Sequence, residues 1–204
     1  MAKFLLLTEG LNKAVIGEYL GEADQINIDT MHHFVDNMDF TKTKFVDALR
    51  HFLQSFRLPG EAQKIDRFML KFGERYCHCN PNAFGNAEVA YVLAYSVIML
   101  NSDQHNPQVK KRMTKHDFIK NNRGINDNSD LPEDYLGGIY EDIQKHEIIL
   151  KDEHEAALIA GTVSTPTTQG FAAGLGNVFS TVGRDLQREA YVAASEEMAN
   201  KTEV

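Results

Sequence analysis

Apolar positions recur at three- and four-residue steps along most of the chain, and no run of alternating β-branched residues is long enough to build a sheet. The pattern predicts an all-α protein. Phe45, Leu49, Phe52, Leu53 and Phe56 form a stripe that predicts a helix over 45–56, packed by one face. Arg57-Leu58-Pro59-Gly60 breaks it, and a second helix is predicted from Glu61 to about Tyr76. Ala62, Ile65, Met69, Phe72 and Tyr76 lie on one side of that helix, with Lys64, Asp66, Lys71 and Glu74 largely on the other.

The stretch 87–100 is apolar all round apart from Glu88, Ser96 and two tyrosines, which predicts a helix surrounded by others at the centre of the fold. A polar turn is predicted at 101–107. Thr114, with Asp117 three residues later, has the form of a capping box opening a short helix through Phe118 and Ile119. A further helix begins near Pro132, read as a first-turn proline, and carries Leu136, Ile139, Tyr140 and Ile143. A mostly polar helix continues over 151–160. From 161 to 183 the composition turns to Gly, Ser and Thr, which is linker chemistry. Helical propensity returns over 184–201, but Leu186, Ala190, Ala193 and Met198 make too thin a stripe to hold a core. The expected organisation is a domain over 1–160, a linker over 161–183, and a helix over 184–204 that opens a downstream region.

Composition narrows the function. Of 204 residues, 43% are hydrophobic and 25% charged, within the soluble globular range. No apolar run approaches the roughly 18 residues of a membrane span. Near the amino terminus, Phe4 to Leu7 is interrupted by Thr8 and Glu9, too soon for a secretory signal, so an intracellular chain is expected. Lys and Arg number 21 against 29 Asp and Glu, a net charge of −8, which opposes binding to nucleic acid or to anionic lipid. The expected partner is a protein.

Several residues invite chemistry. Cys77, His78 and Cys79 offer three zinc-type donors where a closed site needs four, so partly buried thiols at a helix end are the plainer reading. With only two cysteines there is no disulfide framework. Gly174-Leu175-Gly176 lacks the third glycine of a phosphate-binding turn, so no nucleotide cofactor is expected. The acidic stretch 126–130 lacks the glycine and the bidentate glutamate of a calcium loop and reads as a capped turn. No metal is expected. Asp103 and His105 are candidates for an acid/base pair, with local capping as the competing reading. Glu61, at the start of a helix, is by itself an ordinary partner of the helix dipole.

The company of Glu61 changes its meaning. FRLPGEAQKIDR at 56–67, followed by FGNAEVAYVLAYSVIMLNSDQHNP at 84–107, closely resembles the two signature motifs of the Sec-seven domain, the catalytic module of guanine-nucleotide exchange factors for ARF GTPases. Similarity runs from about Leu11 through 121–136 to about Ala160. The segment 181–203 resembles the region just downstream in the large Golgi factors. Ser102 and Gln104 depart from the usual threonine and leucine of motif two.

The resemblance implies an elongated right-handed superhelix of stacked α-helices. It also implies an amino-terminal truncation, since the family usually carries a further helix ahead of the position matching Phe4. Glu61 matches the glutamic finger, directed at magnesium and the β-phosphate of bound GDP. Asp66, Tyr91, Ile98, Met99 and Asn106 match positions that touch ARF. Tyr95, Ser96, Asp103 and Met113 match the residue types that go with brefeldin A sensitivity, against the plainer view that Tyr95 and Ser96 only face neighbouring helices. The implied activity is nucleotide exchange without covalent chemistry, on Golgi membranes of the trans side reached through other regions or ARF itself. Two rivals stand beside it: a metal or hydrolytic site around Asp103, His105 and Cys77 to Cys79, and a helical scaffold that binds ARF without exchange.

Overall fold

The computed structural model describes residues 1–107, 109–126 and 129–149, and every regular element among them is an α-helix. The helices expected over 151–160 and 184–201, with the linker between them, lie outside the described residues. The first 44 residues form three helices: α1 (Ala2–Leu7), α2 (Lys13–Gly21) and α3 (Gln25–Asp36). Asn12 starts α2, its side-chain oxygen accepting from the amides of Ala14 at 2.9 Å and Val15 at 3.3 Å.

The predicted stripe at 45–56 folds as α4 (Phe45–Ser55), with Phe56 leaving it in extended backbone. Helix α5 (Ala62–Cys79) runs one turn past the expected end at Tyr76. Asn80 stops it, donating from its side chain to the carbonyls of Tyr76 at 3.1 Å and Phe40 at 2.9 Å. Phe34, Phe40, Phe45, Phe52, Phe56, Phe68 and Phe72 from α3 to α5 and their connections are all 2% exposed or less. Their rings meet mostly edge to face, as between Phe45 and Tyr76 at 5.1 Å and 88°, an arrangement that favours the ring quadrupoles.

Helix α6 (Ala87–His105) is buried nearly all round, as expected, and begins with Asn86 accepting from the Val89 amide at 3.1 Å. Gly73 lets α5 press against it: a β-carbon there would stand 2.7 Å from the Ala87 carbonyl oxygen. The polar turn expected at 101–107 is a correction, because α6 continues to His105. Polarity there serves other chain segments rather than water. Asn101 is 8% exposed, donating to the Ile148 carbonyl at 3.2 Å and accepting from the Ile148 amide at 2.7 Å.

The capping box forms as expected and opens α7 (Lys115–Asn121), with Thr114 and Asp117 bonding each other's backbone amides. Pro132 is the N-cap of α8 (Glu133–Lys145) rather than its first-turn residue. The outer face of α5 is also less open than its pattern implies. The Lys71 side chain is 13% exposed, with its ammonium 2.8 Å from Asp36 and 3.5 Å from Glu74. Long lysine stems cover apolar surface while their heads find carboxylates. No helix among the described residues is long and apolar enough to cross a membrane.

Candidate functional site

The loop between α4 and α5 is seated on α2. Phe56 anchors its start, stacked on Phe68 at 4.6 Å and edge-on to Phe52 at 5.1 Å. The Arg57 amide donates to the Lys13 carbonyl at 2.9 Å, and the Arg57 carbonyl lies against Gly17. Pro59 is buried over Gly21, and the Arg67 guanidinium donates to the Gly21 carbonyl. Two glycines one turn apart on α2 thus make room for the loop, Gly17 for the Arg57 backbone and Gly21 for the side chains of Pro59 and Lys64.

This seat presents Glu61. Rather than occupying the first turn of α5, as expected, it is the residue before it, in extended backbone with φ −84° and ψ 128°. Its carboxylate makes no capping bond to the helix amides. Instead one oxygen lies 3.2 Å from the Lys64 ammonium, and the side chain is 70% exposed. The open start of α5 favours negative charge there. The Lys64 side chain is 11% exposed, and its ammonium also meets Glu22 at 3.1 Å and Glu18 at 3.3 Å. The hydrogen bonds it donates to Glu22 and then to Glu61 hold it protonated well above the ordinary lysine range.

Helix periodicity places Tyr91, Tyr95, Ile98, Met99 and Ser102 along one face of α6, and Asn106 caps the end of the helix just beyond them. The Tyr91 hydroxyl donates to the Asp66 carboxylate of α5, and its ring stands edge-on to Tyr95 at 5.2 Å and 79°. Burial pushes both hydroxyls above the usual phenol range, with Asp66 adding to the effect at Tyr91. Tyr91 and Ile98 are nearly covered, at 9% and 3% exposure, whereas Met99 and Asn106 are half-exposed.

Beyond α6 the structure joins two of the residues singled out from the sequence. Asp103 accepts from the Met113 amide at 2.6 Å and from Gln104 at 3.2 Å. Gln104 and the Tyr140 hydroxyl both donate to the Met113 carbonyl, at 2.8 and 3.0 Å. Tyr95 and the buried Ser96 lie about two helical turns from Asp103, roughly 10 Å along the axis. A hollow of about 400 Å³ opens beside Met113, bounded by Gln104, His105, Arg112, Tyr140 and Gln144.

The rival chemistry finds less support. His105 Nε2 lies 2.7 Å from the Ile143 carbonyl, an acceptor, so that nitrogen carries the proton and donates. Asp103 is committed to Met113, and the two side chains serve separate structural bonds. The Cys77 thiol donates to the Asn86 carbonyl at 3.5 Å, and burial pushes it up, away from a reactive thiolate. Among the described residues no three His, Cys, Asp or Glu side chains are grouped to hold a metal. Asn126 and Ser129 exchange backbone hydrogen bonds at 3.2 and 2.9 Å. The sequence assigned no site role to Lys64, Gln104 or Tyr140. Only Lys64 carried a legible signal, three residues after Glu61.

Residues 1–148 match the Sec7 domain family. The chain is 60% identical over 203 residues to the ADP-ribosylation factor guanine nucleotide-exchange factor sec71 of Schizosaccharomyces pombe, covering 100% of this chain but 11% of that relative. A crystal structure of the Sec7p catalytic domain superposes with a TM-score of 0.69 at 57% identity, covering 72% of this chain and 77% of that one. A Sec7 domain in a structure of ARF1-GDP complexed with brefeldin A superposes with a TM-score of 0.68 at 41% identity, covering 75% of this chain and 77% of the other.

Proposed function

This chain belongs to the Sec7 domain family, and from that premise we propose that it accelerates GDP release from an ARF-type GTPase, with Glu61 as the group that expels the nucleotide. One observation carries the reading: Glu61 is an exposed carboxylate on a loop that Gly17, Gly21 and Phe56 hold in place, with no capping bond to the amides of the helix it precedes.

GDP is held on such a GTPase by backbone amides, a lysine and magnesium acting on its phosphates. A carboxylate brought there repels the phosphate, competes for the lysine and displaces the metal. No covalent bond changes. Because the domain binds the nucleotide-free GTPase better than the loaded one, it weakens nucleotide binding by the same factor. The α6 face supplies the docking surface in this reading. Met99 and Asn106 offer the accessible contacts, while Asp66 holds Tyr91 in position beneath them. Asp103, Met113, Tyr95 and Ser96 form the brefeldin A region. The domain works on trans-Golgi membranes as a peripheral protein, recruited by other regions or by ARF.

Release of a fluorescent GDP analogue from an amino-terminally truncated ARF, with magnesium present, tests the proposal against Glu61→Lys. The native chain should accelerate release strongly, and the variant should not while still binding ARF. No acceleration by either chain, with ARF still bound, would leave an ARF-binding scaffold as the better account, and equal acceleration by both would remove Glu61 from the role.

A further inference from the structure

Lys64 stands at the centre of three carboxylates: Glu18 from α2, Glu22 just past its end, and Glu61 from the loop. Its stem lies across Gly21, where a β-carbon would come within 2.9 Å of the lysine Cδ, so the ammonium is carried to a fixed place. Glu22, Glu61 and Glu18 meet it at 3.1, 3.2 and 3.3 Å. An ammonium so little exposed is costly to strand without a counter-charge. Were Glu61 its only partner, moving Glu61 to another site would leave it so stranded. With Glu18 and Glu22 in place, the ammonium stays paired when Glu61 departs.

Resting on the exchange reading above, we propose that Lys64 is a positioning residue and that Glu18 and Glu22 are its standby partners. Together they hold the Glu61 carboxylate at the mouth of the loop while keeping its transfer to the phosphate site cheap. Lys64 touches neither nucleotide nor metal. It acts through Glu61 alone, and Glu18 and Glu22 act through Lys64.

This arrangement makes an epistatic demand that a merely structural ion pair does not. In the double variant Glu18→Gln/Glu22→Gln, Lys64 should cling to Glu61, lowering kcat for exchange by about fivefold, the upper range of a single exposed ion pair, with KM for ARF-GDP unchanged. Adding Lys64→Met to that background removes the clinging partner and should restore most of the loss. Lys64→Arg, with Glu18 and Glu22 present, should stay near the native rate. Carbodiimide coupling of the free native chain, read by mass spectrometry, should join Lys64 to Glu61, Glu18 and Glu22 independently of any exchange.

The proposal is overturned if the double variant exchanges at the native kcat while Glu61→Lys is inert, or if the Lys64→Met addition restores nothing. It is overturned equally if coupling never links Lys64 to α2. A native chain that couples as expected yet fails to accelerate GDP release would instead bring down the exchange reading, and the role of Lys64 with it.

Discussion

Gly17 and Arg57 approach so closely that a β-carbon on Gly17 would stand 1.7 Å from the Arg57 carbonyl oxygen. Backbone against backbone leaves nothing flexible to yield. Gly17→Ala should therefore push the loop off α2, destabilising the domain by about 1–3 kcal/mol, the usual scale of overpacking, and slowing exchange beyond what unfolding explains. Thermal unfolding beside the GDP-release assay checks both parts.

Gly60 provides the contrast within the same loop. No atom lies within 4 Å of where its β-carbon would stand, and its φ lies outside the left-handed region. Gly60→Ala should leave stability unchanged or raise it by about 0.4–1 kcal/mol through a less disordered unfolded chain. A denaturant midpoint that fell would reveal a contact absent from this structure.

Tyr76 is 4% exposed, and its hydroxyl donates to the Thr43 carbonyl at 3.1 Å. Burial, helped by Cys77, pushes its ionisation from 10.0 up to about 12. Because the folded value lies above the unfolded one, the stabilisation is complete below pH 10 and is lost as pH rises toward 12. Denaturant midpoints should fall across that window, and Tyr76→Phe should make the fall shallower. Tyr91 and Tyr95 are shifted in the same direction, so some slope should survive.

Asp103 fixes the backbone of Met113 at 2.6 Å. Asp103→Ala should loosen the segment that carries Met113 and cut brefeldin A sensitivity by about tenfold, equivalent to about 1.4 kcal/mol, with little loss of uninhibited exchange. Dose–response curves on both chains give the answer. Equal inhibition would place the drug elsewhere.

Asn101 holds both backbone groups of Ile148 at a buried site. Asn101→Ala would leave an amide and a carbonyl without partners, costing about 1–3 kcal/mol for each group left unsatisfied. Equilibrium unfolding measures the loss, and hydrogen exchange at the Ile148 amide should quicken.

The helices with one apolar stripe were legible in the sequence, because α4, α5 and α8 each bury a single face. Helix α6 was legible for the opposite reason, being apolar on every side. Its last turn was not, since Asn101 and Gln104 look like turn residues until Ile148 and Met113 are brought to them by folding. The motif strings located Glu61, Tyr91 and Asp103, but not the seat that α2 provides. Gly17 and Gly21 lie about 40 residues before the loop they accept, and no local pattern links the two. The pattern placed Lys64 on the side opposite the apolar stripe and no more, because spacing records direction and not partners. Glu18 reaches it from α2 and Glu22 from just past that helix.

The Asn101–Ile148 clasp also sets how the domain bears load. Whatever follows Ile149 departs from a point tied to the middle of the fold by two hydrogen bonds of opposite sense, with Arg50 adding a grip on the neighbouring Asp142 at 2.7 Å. A pull on the chain at Ile148 bears on both bonds, since both end on that one residue. The clasp thus gives tension at Ile148 a direct path to α6 that does not run through α8.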